Sequence, residues 1–234
     1  GTRSIALISS GKVRLFNRRG FEITYRYPEL EKALAISCCS CILDGEIAVF
    51  ADGKPSFHSL AQRDHQSEKM RIDYLSQALP ASYVVFDILY AGGKSILDLV
   101  LRERKQILQQ ELQESDNVSI IDSFSARGKD YFSAALKMGI EGVMAKRLAS
   151  PYQPGKRSQD WIKIKKSLKL DLVVGGYIPG KGERSFYFGG LLLGAYGGGL
   201  LYYVGRVGSG FTEAELAEIT GSLVQRDSPA FANP

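Results

Sequence analysis

The stretch that most constrains this chain is 161–165, where apolar and cationic residues alternate in the order W-I-K-I-K. Side chains two residues apart on a β-strand point to the same side, so Lys163 and Lys165 share one face with Trp161. A pair of alternating lysines is by itself most often a solvated strand face. Here the run EGVMAK at 141–146 also has a strand pattern, with a charge at each end. The two runs together indicate a site.

Composition allows one large domain, or one domain and a smaller one. The chain has 234 residues, of which 44% are hydrophobic, enough for a substantial core. No apolar run approaches the roughly 20 residues that cross a bilayer, and the first residues lack the pattern of a signal peptide. We therefore expect a cytoplasmic protein without a membrane partner. The formal charge of +5 fits a polyanionic partner without requiring one.

The three cysteines, Cys38, Cys39 and Cys41, lie too close together for a disulfide framework, and their odd number favours reduced thiols. A zinc site needs four ligands, and only His58 and His65 are available to add. We expect the cysteines to be small residues that lead into a buried strand. The histidines have no nucleophile pattern around them and are expected to be structural or exposed.

Hydrophobic periodicity predicts short strands with helices between them. Strands are expected at 1–8, 11–16, 42–50, 83–89, 118–121, 141–146 and 161–165, and helices at 27–34, 56–79, 97–113 and 128–138. The helix at 56–79 is expected to carry Arg63 on its surface, and the helix at 97–113 to be scaffold. The absence of βαβ regularity indicates an α+β fold with antiparallel sheets.

The composition changes after residue 165, where more than half of the 25 glycines lie between Gly175 and Gly221. The segment 166–171 is predicted to be a hinge. Thr212 and Glu215 form a capping-box pattern at the start of a helix. Strands are expected at 172–178, 189–196 and 200–207. This pattern is typical of the start of a small β-barrel.

The pattern G-x-x-x-x-G-K at 175–181 does not indicate a phosphate-binding P-loop. Gly182 follows where a P-loop needs Ser or Thr for magnesium, and a strand is expected where a helix is needed.

The run EGVMAK followed by S-P-Y-x-P-G-K-R-S-x-D-W-I-K-I-K resembles motifs IV and V of the ATP-dependent DNA ligases, and is most similar to their bacterial and archaeal end-joining type. Other motifs of that family appear in the same order. Gly1 and Arg3 match the end of the nucleophile motif K-x-D-G-x-R, and 17–20 is similar to the S-R-x-G element, with Asn17 in place of its Ser. The D-G-E at 44–46 resembles motif III, and 83–89 resembles motif IIIa.

The resemblance implies a role for each matching residue. Arg3, Glu46, Phe86 and Lys146 would bind ATP; Arg18 would contact a DNA phosphate; Glu141, Lys163 and Lys165 would be catalytic; and Glu141 and Glu46 would hold metal. Lys146 either supports Glu141 or touches the nucleotide. Asp44 can simply cap a turn. Without their neighbours, Arg18 would be an ordinary polar turn residue and Phe86 an ordinary core aromatic.

The family also implies a fold and a reaction. The fold would be an antiparallel-sheet nucleotidyltransferase (adenylation) domain at 1–166, lacking its N-terminal start, followed by a partial OB-fold at 167–234. The cofactors would be ATP and Mg²⁺ (or Mn²⁺), and the substrate nicked or broken double-stranded DNA. A lysine would attack the α-phosphate of ATP, AMP would pass to a DNA 5′-phosphate, and a 3′-hydroxyl would then displace AMP.

Two motifs of the family are expected outside the chain. The nucleophilic lysine would precede Gly1, and the C-terminal R-x-D-K motif would follow Pro234. We expect a fragment of a longer protein that does not adenylylate itself, that is monomeric, and that has end-joining factors as possible partners.

Two other functions stay open. RNA ligases and capping guanylyltransferases share the lysine chemistry, although the stretch P-Y-x-P-G-K-R-S-x-D-W favours the DNA branch. A non-catalytic module that binds DNA ends or nucleotides is the second alternative.

Overall fold

The computed structural model describes residues 1–156, 158–166, 169–226 and 228–233, and the chain divides into two compact units, Gly1–Lys166 and Ser167–Pro234. Ser167 and Leu168 of the predicted hinge, and Arg157 of the predicted motif V stretch, lie outside the described residues. None of the helices in the described ranges has both the length and the apolar character that crossing a membrane requires.

A seven-stranded sheet forms the centre of the first unit. Its strands are β1 (Thr2–Ser9), β2 (Lys12–Asn17), β3 (Ser40–Ala51), β4 (Lys54–Pro55), β5 (Ala81–Ala91), β6 (Lys94–Ser95) and β7 (Val118–Ile120). The main order is β2-β1-β3-β5-β6, with β4 added to β3 and β7 added to β5. All of these pairs are antiparallel except β5–β7, which is parallel and was not anticipated.

The two strands predicted at the start of the chain are confirmed, and they pair as a hairpin. Ser10 and Gly11 connect β1 to β2 with φ angles of 50° and 75°. Two consecutive residues with positive φ match the right-handed twist of the flanking strands. The hairpin leaves the other edge of β1 free to pair with β3, which carries the D-G-E residues.

Five helices accompany the sheet within the described part of this unit. They are α1 (Pro28–Ser37), α2 (Phe57–Asp64), α3 (Lys69–Ala78), α4 (Leu101–Glu111) and α5 (Gly128–Lys137). The prediction of one helix at 56–79 was wrong, because the chain breaks after Asp64 and begins a new helix at Lys69. The helix predicted at 97–113 is confirmed with shorter ends.

Arg63 explains the break, and the expectation that it lies on the surface was wrong. Its side chain is 1% exposed and donates hydrogen bonds to the carbonyl oxygens of Leu75 and Leu79 at the end of α3. It also lies 2.7 Å from a carboxylate oxygen of Glu29. Carbonyl groups at a helix end lack partners within the helix, so they can replace water around a buried guanidinium. A continuous helix would carry α3 away from Arg63.

The prediction of reduced thiols was also wrong for two of the cysteines. Cys38 and Cys41 form a disulfide, while Cys39 is free and exposed. Cys38 ends α1 and Cys41 lies at the start of β3, so the change of direction between them brings their Cα atoms to 6.6 Å. Both bonded cysteines are buried, as a transition into a buried strand predicts.

The core of the first unit lies where α1 and α4 pack against the sheet. Leu43, Tyr83 and Leu108 have no exposed surface there. Gly45 is required by this packing, because an added Cβ would lie 2.6 Å from the Tyr83 ring. The glycine of D-G-E therefore lets Tyr83 pass beneath the strand, while its two acidic neighbours point to the other side.

Two carboxylates are buried side by side in the sheet. Asp44 of β3 lies directly opposite Asp87 of β5, and neither side chain is exposed. The fully buried Arg104 of α4 binds Asp87 through Nε to Oδ1 at 2.8 Å and Nη2 to Oδ2 at 3.0 Å. Arg104 also donates to the carbonyl oxygens of Leu99 and Ser150. This bidentate pair fixes α4 against the sheet.

A separate two-stranded ribbon completes the first unit. It pairs β8 (Gly142–Lys146) with β9 (Trp161–Lys165), and both strands were predicted. Lys146 lies opposite Trp161, and Gly142 lies opposite Lys165. Gly142 is needed because an added Cβ would collide with the carbonyl oxygen of Ile164.

The second unit contains an antiparallel sheet and one helix among its described residues. The strands are β10 (Val173–Pro179), β11 (Phe188–Gly197) and β12 (Leu200–Val207), followed by α6 (Glu213–Ser222). Phe188, Leu191 and Leu216 form its core. The three predicted strands are confirmed, and so is the capping box of Thr212 and Glu215.

We expect Arg104→Met to lower the free energy of unfolding by about 3–5 kcal/mol, because Asp87 would stay buried without its partner. Urea unfolding followed by the fluorescence of Trp161 measures this. The double variant Asp87→Asn, Arg104→Met should recover part of the loss, since no charge is then left buried. Arg127→Met removes an exposed ion pair with Asp130 and should change stability by less than about 0.5 kcal/mol. Equal effects of Arg104→Met and Arg127→Met would contradict this account.

Candidate active site

A cleft of about 850 Å³ opens in the first unit, lined by residues of the central sheet, α4, α5 and the β8–β9 ribbon. Ligand pockets in proteins have volumes of roughly 300–1,000 Å³, so the cleft has room for a nucleotide. Five of the residues singled out from the sequence line it: Arg3, Glu46, Phe86, Lys146 and Lys163. Each comes from a different strand, and Arg3 and Lys163 are separated by most of the sequence of the first unit.

Arg3 is held in place by a buried carboxylate. Its guanidinium donates from Nε to Asp44 Oδ1 at 3.0 Å and from Nη2 to Asp44 Oδ2 at 2.6 Å. These bonds raise the pKa of Arg3 above its ordinary value. Asp44 was interpreted as a possible turn cap; it instead lies in the middle of β3 and is fully buried. The bidentate pair orients the exposed half of Arg3 toward the cleft.

Tyr152 bridges the same two groups. Its hydroxyl donates to Asp44 Oδ2 at 2.7 Å and accepts from Arg3 Nη2 at 3.0 Å. Burial and the nearby Asp44 carboxylate raise the pKa of the phenol above its ordinary value, so the hydroxyl keeps its proton. The Tyr152 ring also lies 5.7 Å from the guanidinium carbon of Arg104. Tyr152 therefore contacts the partners of both buried carboxylates.

Lys146 lies between two aromatic rings. Its Nζ is 3.7 Å from the centroid of the Trp161 ring and 4.4 Å from that of Phe86. The two rings are 6.2 Å apart in an edge-to-face arrangement. Attraction between an ammonium and aromatic faces stabilises such a position when water is excluded. The register of the ribbon creates this arrangement, because it places Lys146 directly opposite Trp161.

The pKa of Lys146 is lowered from 10.5 to about 8. Burial is the main cause, and the positive charges of Lys105 and Arg3 add to it, while Asp87 and Asp44 act in the other direction. Desolvation disfavours the charged form of an amine. Near neutral pH the group is mainly an ammonium, and slightly alkaline solution converts it to a neutral amine.

The other two lysines follow along the ribbon. Lys163 lines the cleft opposite Met144, and Lys165 lies opposite Gly142 at the far end. Lys165 Nζ is 4.0 Å from Glu141 Oε2, and both side chains are largely solvent-exposed. Glu141 and Lys165 do not belong to the cleft lining. Lys146, Lys163 and Lys165 all project from one face of the ribbon, as the alternation predicts.

Arg18 lies away from the cleft, in the exposed turn that follows β2. Asn17 organises this turn, because its side-chain oxygen accepts hydrogen bonds from the backbone N–H groups of Arg19 and Phe21. Gly20 has a positive φ of 80°. The turn leaves the Arg18 side chain in solvent.

Three features of the site were missed in the sequence. They are the Asp44–Tyr152 contact, the presence of Lys105 in the cleft, and a wall formed by 121–132 that includes Phe124 and Tyr131, whose rings are 4.6 Å apart. The helix at 97–113 was interpreted as scaffold, yet Lys105 lies at a position of its apolar stripe. A cation on the buried face of a helix was the available signal. The Tyr152 contact spans 108 residues and has no local signal.

The candidate metal ligands are two separate carboxylates. Glu46 lines the cleft and Glu141 lies at the end of the ribbon. Within the ranges that the structure describes, no group of three or more His, Cys, Asp or Glu side chains is arranged to hold a metal ion. Magnesium is usually held by one or two carboxylates together with phosphate oxygens and water. The chain thus fits a metal that arrives with a phosphate ligand.

Two family profiles match the chain. The profile described as "ATP dependent DNA ligase domain" matches residues 1–165, and that described as "ATP dependent DNA ligase C terminal region" matches residues 184–234.

Among curated proteins, the chain is 37% identical over 230 residues to "Multifunctional non-homologous end joining protein LigD" of Pseudomonas aeruginosa. It is 34% identical over 223 residues to a "DNA ligase" of Thermococcus fumicolans. These matches take in 95% and 91% of this chain, but 26% and 40% of those proteins. The chain therefore spans between a quarter and two-fifths of the length of these relatives.

Solved structures show the same likeness. The "Ligase Domain from M. tuberculosis LigD" matches with 31% identity and a TM-score of 0.58, over 100% of this chain and 73% of that one. The structure described as "mycobacterial DNA ligase D complexed with ATP and MES" matches over the same shares with 31% identity and a TM-score of 0.62. This confirms the predicted α+β fold, with antiparallel sheets of the nucleotidyltransferase type followed by a partial OB-fold.

We expect Tyr152→Phe to lower the free energy of unfolding by about 1–2 kcal/mol, because Asp44 loses a donor in a buried position. Urea unfolding monitored by Trp161 fluorescence measures the change. Tyr74→Phe is the matched control, since the Tyr74 ring is exposed; it should stay within about 0.5 kcal/mol of the parent. A Tyr152→Phe variant as stable as the Tyr74→Phe variant would show that the bridge contributes nothing.

The lowered pKa of Lys146 predicts a titration that Trp161 reports. Trp161 is the only tryptophan, and its emission should change with a midpoint near pH 8 as the amine above its ring loses its proton. Lys146→Met should abolish the transition, whereas Lys163→Met should keep it.

The same shift makes stability depend on pH. Between about pH 8 and 10.5 the unfolded chain binds a proton at Lys146 that the folded chain has lost, so the free energy of unfolding rises with pH across that window. The difference between the parent and Lys146→Met in urea unfolding should follow this trend. A flat difference would contradict it.

Proposed function

This chain belongs to the ATP-dependent DNA ligase family, and on that premise we propose that it forms the core of an enzyme that seals nicks or breaks in double-stranded DNA. The proposed reaction uses ATP and passes through an enzyme-adenylate and a DNA-adenylate. The observation that carries the proposal is the convergence of Arg3, Glu46, Phe86, Lys146 and Lys163 on one cleft. The chain matches only part of the length of its relatives, so the activity of the whole protein is itself part of the proposal.

The aromatic end of the cleft is proposed to hold the nucleoside. Phe86 offers a ring face on which adenine can stack, which is supported by its position in the lining beside Trp161. In this structure the Lys146 ammonium lies above that ring, and it would move aside or donate to the nucleotide when adenine enters. Glu46 lies opposite Arg3 in the β1–β3 pair and is proposed to reach the ribose.

The other end of the ribbon is proposed to hold the phosphates. Lys163 and Lys165 lie two residues apart on one face, so their ammonium groups can bind adjacent oxygens of the α-phosphate. Charge builds up on those oxygens as the leaving group departs, and positioned cations stabilise it. Glu141 lies beside Lys165 at this end.

Glu141 and Glu46 are proposed to hold Mg²⁺ or Mn²⁺ together with the phosphates. The bound metal would offset the negative charge of the phosphate oxygens. Arg18 is proposed to bind a phosphate of the DNA backbone, since it is exposed in a turn and its planar guanidinium can donate two hydrogen bonds to one phosphate.

None of the lysines in this sequence lies in a K-x-D-G-x-R motif, so we do not propose any of them as the nucleophile that attacks ATP. The segment 1–166 is proposed to be the adenylation domain and 167–234 a partial OB-fold domain. We further propose that the protein acts as a monomer in the cytoplasm, on breaks that end-joining factors present. The last point is supported by the names of the relatives from Pseudomonas and Mycobacterium.

The test uses a nicked duplex whose 5′ end already carries AMP, so that only the sealing step is required. With Mg²⁺ the parent chain should seal it, and Lys163→Ala should lower the rate about 100-fold or more while leaving the folded structure intact. Lys32→Ala, which changes an exposed lysine of α1, should seal at the parent rate.

Three outcomes would contradict parts of the proposal. An unchanged rate in Lys163→Ala would remove its phosphate role. A parent chain that binds ATP and nicked DNA but never seals would favour the non-catalytic binding module. Tighter binding of GTP than of ATP would favour a capping-type enzyme.

A further inference from the structure

Helix α4 carries two cations on its buried face. Leu101 and Leu108 are buried there, and Arg104 and Lys105 fall between them at helical spacing. Arg104 is bound to Asp87 and to two backbone carbonyls. Lys105 is half-buried, and its ammonium makes no hydrogen bond or ion pair with any residue in the described ranges.

The Lys105 side chain lies where two cavities meet. It lines the main cleft and also a smaller cavity of about 360 Å³ between α4 and β7. Ile121, Asp122 and Ser123 line both cavities as well. Asp122 is the one acid shared by both linings, and its carboxylate is not within ion-pair distance of Lys105 in the described structure. A ligand that reaches from the cleft toward α4 therefore meets a free ammonium group.

Lys105 belongs to the aromatic end of the cleft. It follows Arg104, whose partner Asp87 is the residue after Phe86. The charge of Lys105 helps to lower the pKa of Lys146, which lies over the Phe86 ring. Two residues along a strand span roughly 6.6 Å, so Lys163 and then Lys165 lie progressively farther along the ribbon. Lys105 thus lies near Lys146 and the proposed nucleoside position, whereas Lys163 and Lys165 follow along the ribbon toward the proposed phosphate position.

An ammonium group has three donors and no acceptor, and leaving it half-buried without a partner is unfavourable. Burial accordingly lowers the pKa of Lys105, as expected for an amine that lacks a strong partner. A purine offers ring nitrogens as hydrogen-bond acceptors along its edges. The Lys105 ammonium therefore supplies the donors that the edge of a stacked base would accept, and it lies near the proposed position of that base.

We propose that Lys105 donates a hydrogen bond to a ring nitrogen of the adenine that stacks on Phe86, and so contributes to the selection of the nucleotide. The inference rests on the proposed function and adds a base-binding residue to it. Lys105 reaches the base from α4, which lines the cleft together with the ribbon. Its neighbour Arg104 fixes α4 against the sheet through Asp87 and so holds Lys105 at the cleft wall.

Binding of ATP, AMP and adenosine to the parent chain and to Lys105→Met tests the proposal, with Trp161 fluorescence and calorimetry as readouts. Met has a similar length but no donor. Loss of one charge-assisted hydrogen bond should weaken all three ligands about tenfold or more, since the lost contact is to the base. Lys105→Arg keeps a donor and should retain part of the affinity. Arg102→Met removes a charge from the exposed side of the same helix and should bind like the parent.

Nucleotides that lack one ring nitrogen identify the contacted atom. Among 1-deaza-, 3-deaza- and 7-deaza-ATP, one should bind the parent chain more weakly by the factor seen with Lys105→Met. It should then show no further loss in Lys105→Met, because both changes remove the same bond. Thermal unfolding of each variant verifies that the fold is kept.

The possible failures are distinguishable. Unchanged binding in Lys105→Met, or additive losses with all three deaza nucleotides, would overturn the base contact alone. A loss with ATP but not with adenosine would assign Lys105 to the phosphates and overturn it too. A parent chain that binds neither ATP nor adenosine would overturn the proposed function, and this inference with it.

Discussion

The architecture of the first unit depends on neutralising two carboxylates that lie side by side in the sheet, out of contact with solvent. Asp44 and Asp87 face each other across β3 and β5 without any exposed surface. Like charges at this spacing repel, and buried charges without partners are strongly destabilising. Each therefore needs its own cation, which Arg3 and Arg104 provide. Loss of either arginine would leave a buried carboxylate without its cation and destabilise the sheet.

These two ion pairs also build the cleft. Arg104 brings α4 to the sheet, and through the carbonyl of Ser150 it holds the loop that leads to Tyr152. The Tyr152 hydroxyl in turn bonds both Asp44 and Arg3. One hydrogen-bond network therefore connects β1, β3, α4 and the loop between the ribbon strands. The cleft formed around it contains more cations than acids in its lining. A surface of that sign attracts a nucleotide, whose phosphates carry the opposite charge.

The differences between expectation and structure share a physical cause. Arg63 was placed on the surface because long cationic side chains are usually solvated, but carbonyls at the end of α3, contributed by another helix, satisfy its donors. Cys38 and Cys41 were expected to be reduced because their spacing in the sequence is short, yet the turn between α1 and β3 brings them together. Asp44 was interpreted as a possible turn cap, whereas it lies within β3 and its partner Arg3 lies on a neighbouring strand. In each case the deciding group belongs to a different element.

Most of the strands and helices, the faces of the ribbon and the order of the ligase motifs could be predicted from the sequence, because alternation, capping and turn signals act over a few residues. It identified five of the residues that line the cleft. The tertiary structure was needed to show that Asp44 orients Arg3, that Tyr152 contacts residues 108 and 149 positions away, and that Lys105 lines the cleft. Such contacts form only when segments distant in the sequence pack together. A charged residue that becomes buried in this way then finds its partner on another segment.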